Sequence, residues 1–315
     1  MSEQTGYAEA AQAWYIGNYQ VVPERIREIA GFYGHVVMLA GPETQPAVAV
    51  KFAFQDGRCA REITALERLR PHSSLPLPAV VAQTSLSVAG GNQPHEVLVL
   101  AALPGVAPWD LPPASVRAPQ AATEVARVLA AVHGVSDPRG FECPDASFTP
   151  SLLGAFEAWF APVWHYAAAD AAPFSPALRS KLAALWAARS ALLAPINAEP
   201  SSLVHDDPHL GNLLFDAQTG LPTALLDPCD VAFRHREQDV FHLADAMPDW
   251  RVMEAYEALS PMTAGWEVRR WFFSIWDDVK HSRNRGWYDE DWFERKFIQL
   301  RDALQSSHVY QGIAL

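Results

Sequence analysis

Residues 203–239 read LVHDDPHLGNLLFDAQTGLPTALLDPCDVAFRHREQD, and this stretch decides the fold. Short apolar runs (Leu203 and Val204, Leu213 to Phe215, Ala224 to Leu226) alternate with polar residues, the pattern of brief buried strands, two of them joined by a turn at Thr219 and Gly220. Carboxylates between buried strands are held in place and partly desolvated. Mg2+ takes one or two carboxylate or amide oxygens and shares its other positions with phosphate and water, a donor set that Asp207, Asn212 and Asp227 fit, with the spacing giving the metal to Asn212 and Asp227. Asp207, five residues before Asn212 on a tight loop, is suited to orienting an acceptor hydroxyl. Any one of these residues alone is ordinary turn material. The order His-x-Asp-x-x-x-x-Asn, strand, hairpin, strand, Asp is far more specific, and it points to phosphoryl transfer from Mg-ATP.

On these residues a family resemblance rests. His205-Asp206-Asp207-Pro208-His209-Leu210-Gly211-Asn212 resembles the catalytic loop of the aminoglycoside phosphotransferase, choline kinase and fructosamine kinase superfamily, relatives of protein kinases. Asp227-Pro228 followed by His235-Arg236-Glu237-Gln238-Asp239 is similar to the fructosamine-kinase branch, whereas His209 matches the aminoglycoside branch. Asp206 departs from the pattern, standing where the family usually carries Gly. The resemblance implies a two-lobed, protein-kinase-like α+β fold, with a small N-terminal antiparallel-sheet lobe and a larger, mainly helical C-terminal lobe. It implies that Asp207 is the catalytic carboxylate and that Asp239 braces the catalytic loop. Read from its surroundings alone, Asp239 is an N-cap for an apolar helix over Val240 to Ala246.

The composition agrees with such an enzyme. A chain of 315 residues, half of them hydrophobic, suits two lobes, expected at 1–102 and 103–315. A net charge of −12 argues against a nucleic-acid or anionic-membrane partner and is compatible with a cationic small-molecule acceptor. Three cysteines without ligand spacing argue against a disulfide framework or structural zinc, and a reduced cytoplasm is the expected compartment. There is no charged-then-apolar leader and no apolar run of membrane-spanning length, so a soluble protein is expected.

In the first lobe, alternation predicts strands at Arg25 to Ala30, His35 to Ala40 and Ala47 to Phe54. On the third, Val48, Val50 and Phe52 share one face, and Ala49, Lys51 and Ala53 the other. The chain has only four lysines against twenty arginines, and Lys51 is the one before Lys181. Two readings stand for it: a lysine guarding a sheet edge, or a cation reaching nucleotide phosphates, with Ala49 kept small for adenine. A helix should follow in which Glu62, Leu66 and Leu69 share the inward face, and an inward carboxylate needs a cation. Lys51 is the candidate. The resemblance implies the same Lys51–Glu62 ion pair, and it matches Gly31 and Gly34 loosely to a phosphate-covering loop. No G-x-x-x-x-G-K-[ST] motif occurs, which argues against a P-loop enzyme.

In the second lobe, helices are expected at Ala121 to Val132, Ser151 to Ala168 and Pro176 to Ala194. Residues 250–292 hold six of the eleven tryptophans, interleaved with Asp277, Asp278 and other acids. That region reads either as a helical core with a solvated acidic face or as part of a site for an amine-bearing acceptor. The function expected is an ATP- and Mg2+-dependent kinase acting on a hydroxyl of an amine-bearing sugar or alcohol. The alternatives are a pseudokinase binding module and a metal-dependent hydrolase built on His205, Asp207 and His209.

Overall fold

The computed structural model describes residues 6–91, 93–112, 119–245 and 247–313. In chain order, the first segment carries α1 (Gly6–Tyr19), β1 (Arg25–Ala30), β2 (Gly34–Ala40), β3 (Val48–Ala53), α2 (Arg58–Leu69), β4 (Val80–Leu86) and β5 (His95–Ala101). Then follow α3 (Pro119–His133), β6 (Phe141–Glu142), β7 (Phe148–Thr149), α4 (Leu152–Ala168), α5 (Pro176–Leu193) and β8 (Ser202–Val204). Two short strands, β9 (Leu213–Phe215) and β10 (Pro222–Leu225), precede β11 (Ala232–Arg234) and the helices α6 (Glu237–Asp245), α7 (Val252–Leu259), α8 (Trp266–Arg285) and α9 (Glu290–Ser306). The chain forms two compact units, Met1–Pro112 with Gly211–Asp230, and Pro113–Leu210 with Val231–Leu315.

The first unit is built on an antiparallel sheet of order β1-β2-β3-β5-β4. Because strand side chains alternate, Val48, Val50 and Phe52 are buried while Ala49, Lys51 and Ala53 are half-buried. The buried face joins Val37, Leu39, Val97 and Val99 in packing against Ala8, Ala11 and Tyr15 of α1. The Tyr15 hydroxyl donates to Pro46 O (3.0 Å) and accepts from Gly41 N (3.1 Å), fixing α1 to the β2–β3 connection. On α2, Cys59, Glu62, Ala65, Leu66 and Leu69 are buried, so the inward face is the one the spacing predicts.

The β9–β10 hairpin clusters with this same unit and is antiparallel, its turn closed through Gly220 at φ 69°. Val106 and Phe215 exchange backbone hydrogen bonds of 2.8 and 2.9 Å, and Pro76 O accepts from Leu225 N (3.1 Å). Gly105 permits this approach: its φ is 133°, and a Cβ there would lie 2.7 Å from Thr223 Oγ1 and 2.8 Å from Leu214 Cβ.

The second unit is helical around an aromatic core that includes Phe156, Phe272, Phe273, Trp276 and Phe293. Trp159, Trp164 and Tyr166 pack against that core. Its helices start where capping chemistry allows: Ser151, Ser175 and Asp289 each accept a backbone N–H of the first turn. The two-residue strands β6 and β7 pair antiparallel, with Phe141 opposite Thr149. The antiparallel pair β8–β11, with Val204 opposite Ala232 and Ser202 opposite Arg234, sets the loop after β8 beside β11. Among the described residues no helix is long and apolar enough to cross a membrane.

Candidate active site

In the first unit, β3 and α2 bring Lys51 and Glu62 together, as their positions on strand and helix dictate. Lys51 Nζ donates to Glu62 Oε1 at 2.6 Å and to Oε2 at 2.7 Å, and also to Asp227 Oδ1 at 2.6 Å. The Lys51 and Glu62 side chains are 16% and 8% exposed, whereas that of Asp227 is 45% exposed. Burial alone would favour neutral lysine. The Asp227 and Glu62 carboxylates outweigh it and hold the ammonium above the ordinary lysine range, so it stays charged.

Asp227 itself is at φ 54°, in the left-handed region that few non-glycine residues other than Asn and Asp adopt readily. Asn212 is buried, and its carbonyl accepts from Leu226 N (2.8 Å), so the hairpin holds Asn212 beside the strand end that leads into Asp227. Ala49 lies opposite Met38 and Leu100, half-buried on the Lys51 face. Gly31 N donates to Gly34 O (2.9 Å), closing the β1–β2 turn. Gly34 is required for packing: a Cβ there would lie 2.4 Å from Phe52 O.

The second unit holds Asp207, with a side chain 37% exposed. Its Oδ1 lies 3.7 Å from His209 Nε2 and 3.8 Å from His242 Nδ1, and its N–H donates to His205 Nδ1 (3.4 Å). The loop is braced from α6. Asp239, wholly buried, accepts from the N–H groups of His205 (2.6 Å) and Asp206 (2.8 Å), and His133 Nε2 lies 3.0 Å away, with His133 Nδ1 on the Tyr256 hydroxyl. Burial pushes the Asp239 carboxyl up, but these hydrogen bonds and the neighbouring imidazoles leave it below its usual range. Helix α6 starts at Glu237, so Asp239 lies inside the first turn and is not its N-cap; the expected last residue, Ala246, lies outside the described residues. The capping reading gives way to the bracing one.

Asp206 stands at φ 76°, a conformation that Gly adopts without strain. Here an aspartate fills it and is buried in a charge network. Asp206 Oδ1 accepts from Arg234 Nη2 (2.5 Å), Asp206 Oδ2 lies 3.6 Å from Lys280 Nζ, and Lys280 reaches Asp277 Oδ1 (2.6 Å). His281 Nε2 is 3.0 Å from Asp277 Oδ2, and the Arg234 guanidinium lies over the Trp159 ring. Asp278 pairs with Lys296 (2.5 Å) and accepts from Trp292 Nε1 (2.9 Å). Asp277 and Asp278 are thus buried and internally paired, not a solvated acidic face. Arg236 and Glu237 do not pair with each other: Glu237 accepts from Nε and Nη2 of the buried Arg269 (2.7 Å each), and Arg236 bonds to Ser260 and to Pro261 O.

The structure therefore gathers Lys51, Glu62 and Asp227 into one cluster, with Asn212 tied to the same hairpin, and places Asp207 with His209 and His242 in the second unit. His205, Asp207 and His209 do not make the zinc or di-metal cluster of the hydrolase alternative. Among the described residues no group of three His, Cys, Asp or Glu is placed to hold a metal ion, and His205 is wholly buried with Nδ1 turned to the Asp207 N–H. Sequence reading missed Arg58, Arg234, His242 and Lys280. For Lys280 a signal was there, since it lies three residues after Asp277 on a helix, the spacing of an ion pair.

A family model described as the phosphotransferase enzyme family matches residues 25–272. Among solved structures, a protein from Haemophilus somnus 129PT described as a fructosamine-3-kinase superposes with a TM-score of 0.65 at 14% identity, covering 94% of this chain and 97% of that one. The GDP complex of wild-type aminoglycoside 2'-phosphotransferase-IIIa gives 0.60 at 13% identity over 94% and 98%. The aminoglycoside-3'-phosphotransferase of type VIII gives 0.59 at 20% identity over 88% and 100%. At such identities the likeness establishes the kinase-like α+β fold. No curated protein sequence matches the chain.

Proposed function

We propose that this chain, which belongs to the phosphotransferase enzyme family, is an ATP- and Mg2+-dependent small-molecule kinase that phosphorylates a hydroxyl of an amine-bearing sugar or alcohol. The observation that carries the reading is Lys51, held between the buried Glu62 and the half-exposed Asp227. A structural ion pair has no need of a third, solvent-facing carboxylate. A phosphate-binding lysine set by a glutamate and placed beside a metal-binding aspartate does.

The oxygen donors of Asp227 and Asn212 suit Mg2+, a hard cation that completes its shell with phosphate and water. Bound there, Mg2+ would neutralise charge on the transferring phosphoryl group. Lys51 contacts phosphate, Glu62 fixes its direction, and Ala49 leaves room for the base on the half-buried face of β3. The turn at Gly31 and Gly34 covers the phosphates. Asp207 accepts the hydrogen bond of the acceptor hydroxyl and takes its proton. His205 and Asp239 act through the backbone of that loop, keeping the carboxylate in place.

The acceptor class is supported by relatives named for fructosamine and aminoglycosides. Its amine is met by groups other than Asp277 and Asp278, which Lys280, His281 and Lys296 already neutralise. The test is ADP release from Mg-ATP across a panel of amine-bearing sugars and alcohols. A positioned proton acceptor is worth roughly 10²–10⁴ in rate, so Asp207→Asn should lower kcat by that much and leave Mg-ATP binding intact. Turnover unchanged in Asp207→Asn, or none with any acceptor in the wild type, contradicts the reading.

A further inference from the structure

Arg58, the first residue of α2, has no role in the reading above, yet the first unit builds a setting around it. A small, solvent-open pocket is lined by Arg58, Arg61, Glu62, Asp227, Cys229 and Asp230. Arg61 is paired in it, 3.8 Å from Asp230 Oδ1. Arg58 is not: its one hydrogen bond, from Nη2, goes to the Cys229 thiol at 3.5 Å, and among the described residues no carboxylate lies within ion-pair distance. A thiol sulfur is a weak acceptor. Burial disfavours the guanidinium charge, but Cys229, Glu62 and Asp227 outweigh it through space and keep it charged, while its direct hydrogen-bond partner is that weak acceptor, which leaves N–H capacity for a stronger one.

The guanidinium is also oriented. Its Cζ sits 4.4 Å from the centroid of the Tyr33 ring, in the turn between Gly31 and Gly34, while Nη2 points to the segment just after Asp227. Arg58 thus bridges two segments, one bearing the proposed phosphate-covering glycines and the other the proposed metal ligand. Stacking leaves the edge of the planar fork, with its remaining N–H groups, free to meet an anion in the cavity. Lys51 cannot supply that charge alone, because Glu62 and Asp227 already engage it.

We propose that Arg58 is a phosphate-binding residue of the nucleotide site, contacting the terminal phosphate of ATP by charge-assisted hydrogen bonds while Tyr33 holds its plane. This rests on the nucleotide reading above and adds to it a second cation and a basis for preferring triphosphate to diphosphate.

The test is calorimetric titration of wild type, Arg58→Gln and Arg58→Lys with Mg-ATP, Mg-ADP and adenosine, with urea unfolding to establish that each variant is folded. Losing charge-assisted hydrogen bonds to phosphate should weaken Mg-ATP binding by Arg58→Gln about tenfold or more. Mg-ADP should lose less, adenosine nothing, and Arg58→Lys should recover part of the loss. Wild-type Mg-ATP affinity in Arg58→Gln overturns the proposal. So does an equal loss for ATP and adenosine, the mark of a structural role. A wild type that binds adenosine but gains nothing from the phosphates would refute the phosphate roles of Arg58 and Lys51 together, whereas phosphate-dependent binding that survives in Arg58→Gln refutes that of Arg58 alone. A wild type that binds no nucleotide would remove the parent reading and this one together.

Discussion

Two buried charge clusters, one in each unit, are built on opposite plans. The Lys51 cluster of the first unit has three members, one of which, Asp227, is nearly half exposed. The network of Asp206, Arg234, Lys280, Asp277 and His281 in the second unit turns its charges on one another, and Asp206, Arg234 and Asp277 are almost wholly covered. Burial raises carboxyl pKa values, yet Asp206 and Asp277 are both held below the usual range by the cations around them. The contrast teaches what to look for in a site: an incompletely covered cluster is suited to a ligand, whereas a closed one is suited to fixing loop geometry.

The comparison can be broken by removing the cation from each cluster. Lys51→Met should destabilise the protein by about 3–5 kcal/mol, the usual cost of orphaning a buried charge, and should also abolish the stabilisation conferred by Mg-ATP. Lys280→Met should cost up to a similar amount, since Asp206 keeps Arg234 and Asp277 keeps His281, but Mg-ATP should still stabilise the variant. Urea unfolding with and without nucleotide separates the two. Loss of nucleotide stabilisation in both variants would erase the distinction.

Smaller effects sharpen it. Asp206→Gly relieves a left-handed backbone worth roughly 1–2 kcal/mol but strips Arg234 of its carboxylate, so it should be net destabilising. Asp206→Asn, which keeps the backbone conformation and part of the hydrogen bonding, should be milder. A stabilised Asp206→Gly would mean that the network contributes little.

The smallest effect is a pH dependence. His281 is pulled down by burial but held above its ordinary pKa by Asp277, and Asp277, which burial would raise, is held below its own by Lys280 and His281. A raised histidine contributes fully below its unfolded value of about 6.5 and loses that contribution as pH rises through its folded value. A depressed carboxyl contributes above about 3.9 and is lost as pH falls through its folded value. Wild type should therefore exceed His281→Gln in stability most clearly between about pH 4 and 6.5, with the gap closing as pH rises further. A gap constant from pH 5 to 9 would count against the pairing.

The same contrast explains what sequence made legible. Lys51 and Glu62 lie on adjacent elements whose periodicities fix their faces, and Asn212, the hairpin and Asp227 form one contiguous run, so residue type and spacing suffice. The β1–β2–β3 meander follows from alternation, and α3, α4 and α5 from helical periodicity. The second cluster draws on a loop, a three-residue strand and a helix from positions 206, 234 and 277–281. Only the β8–β11 pairing brings Arg234 to Asp206, and no local pattern encodes a strand pair of that length. Helix α1 escaped for another reason: its alanines and aromatics give little contrast between the two faces, although Ala8, Ala11 and Tyr15 are spaced for one stripe. Asp239 misled because Asp before an apolar run is the usual N-cap, and its buried role depends on His133 and on a loop thirty-odd residues earlier.

The most direct test of the nucleotide site is thermal unfolding with and without Mg-ATP, on wild type and on Asp227→Ala. Ligand at a hundred times its dissociation constant adds about 2.7 kcal/mol if it binds only the folded state. A magnesium-dependent rise in Tm for wild type, absent in Asp227→Ala, is the expected result. An equal rise in both proteins, or none in wild type, would contradict the assignment of Lys51, Glu62 and Asp227 to nucleotide and metal.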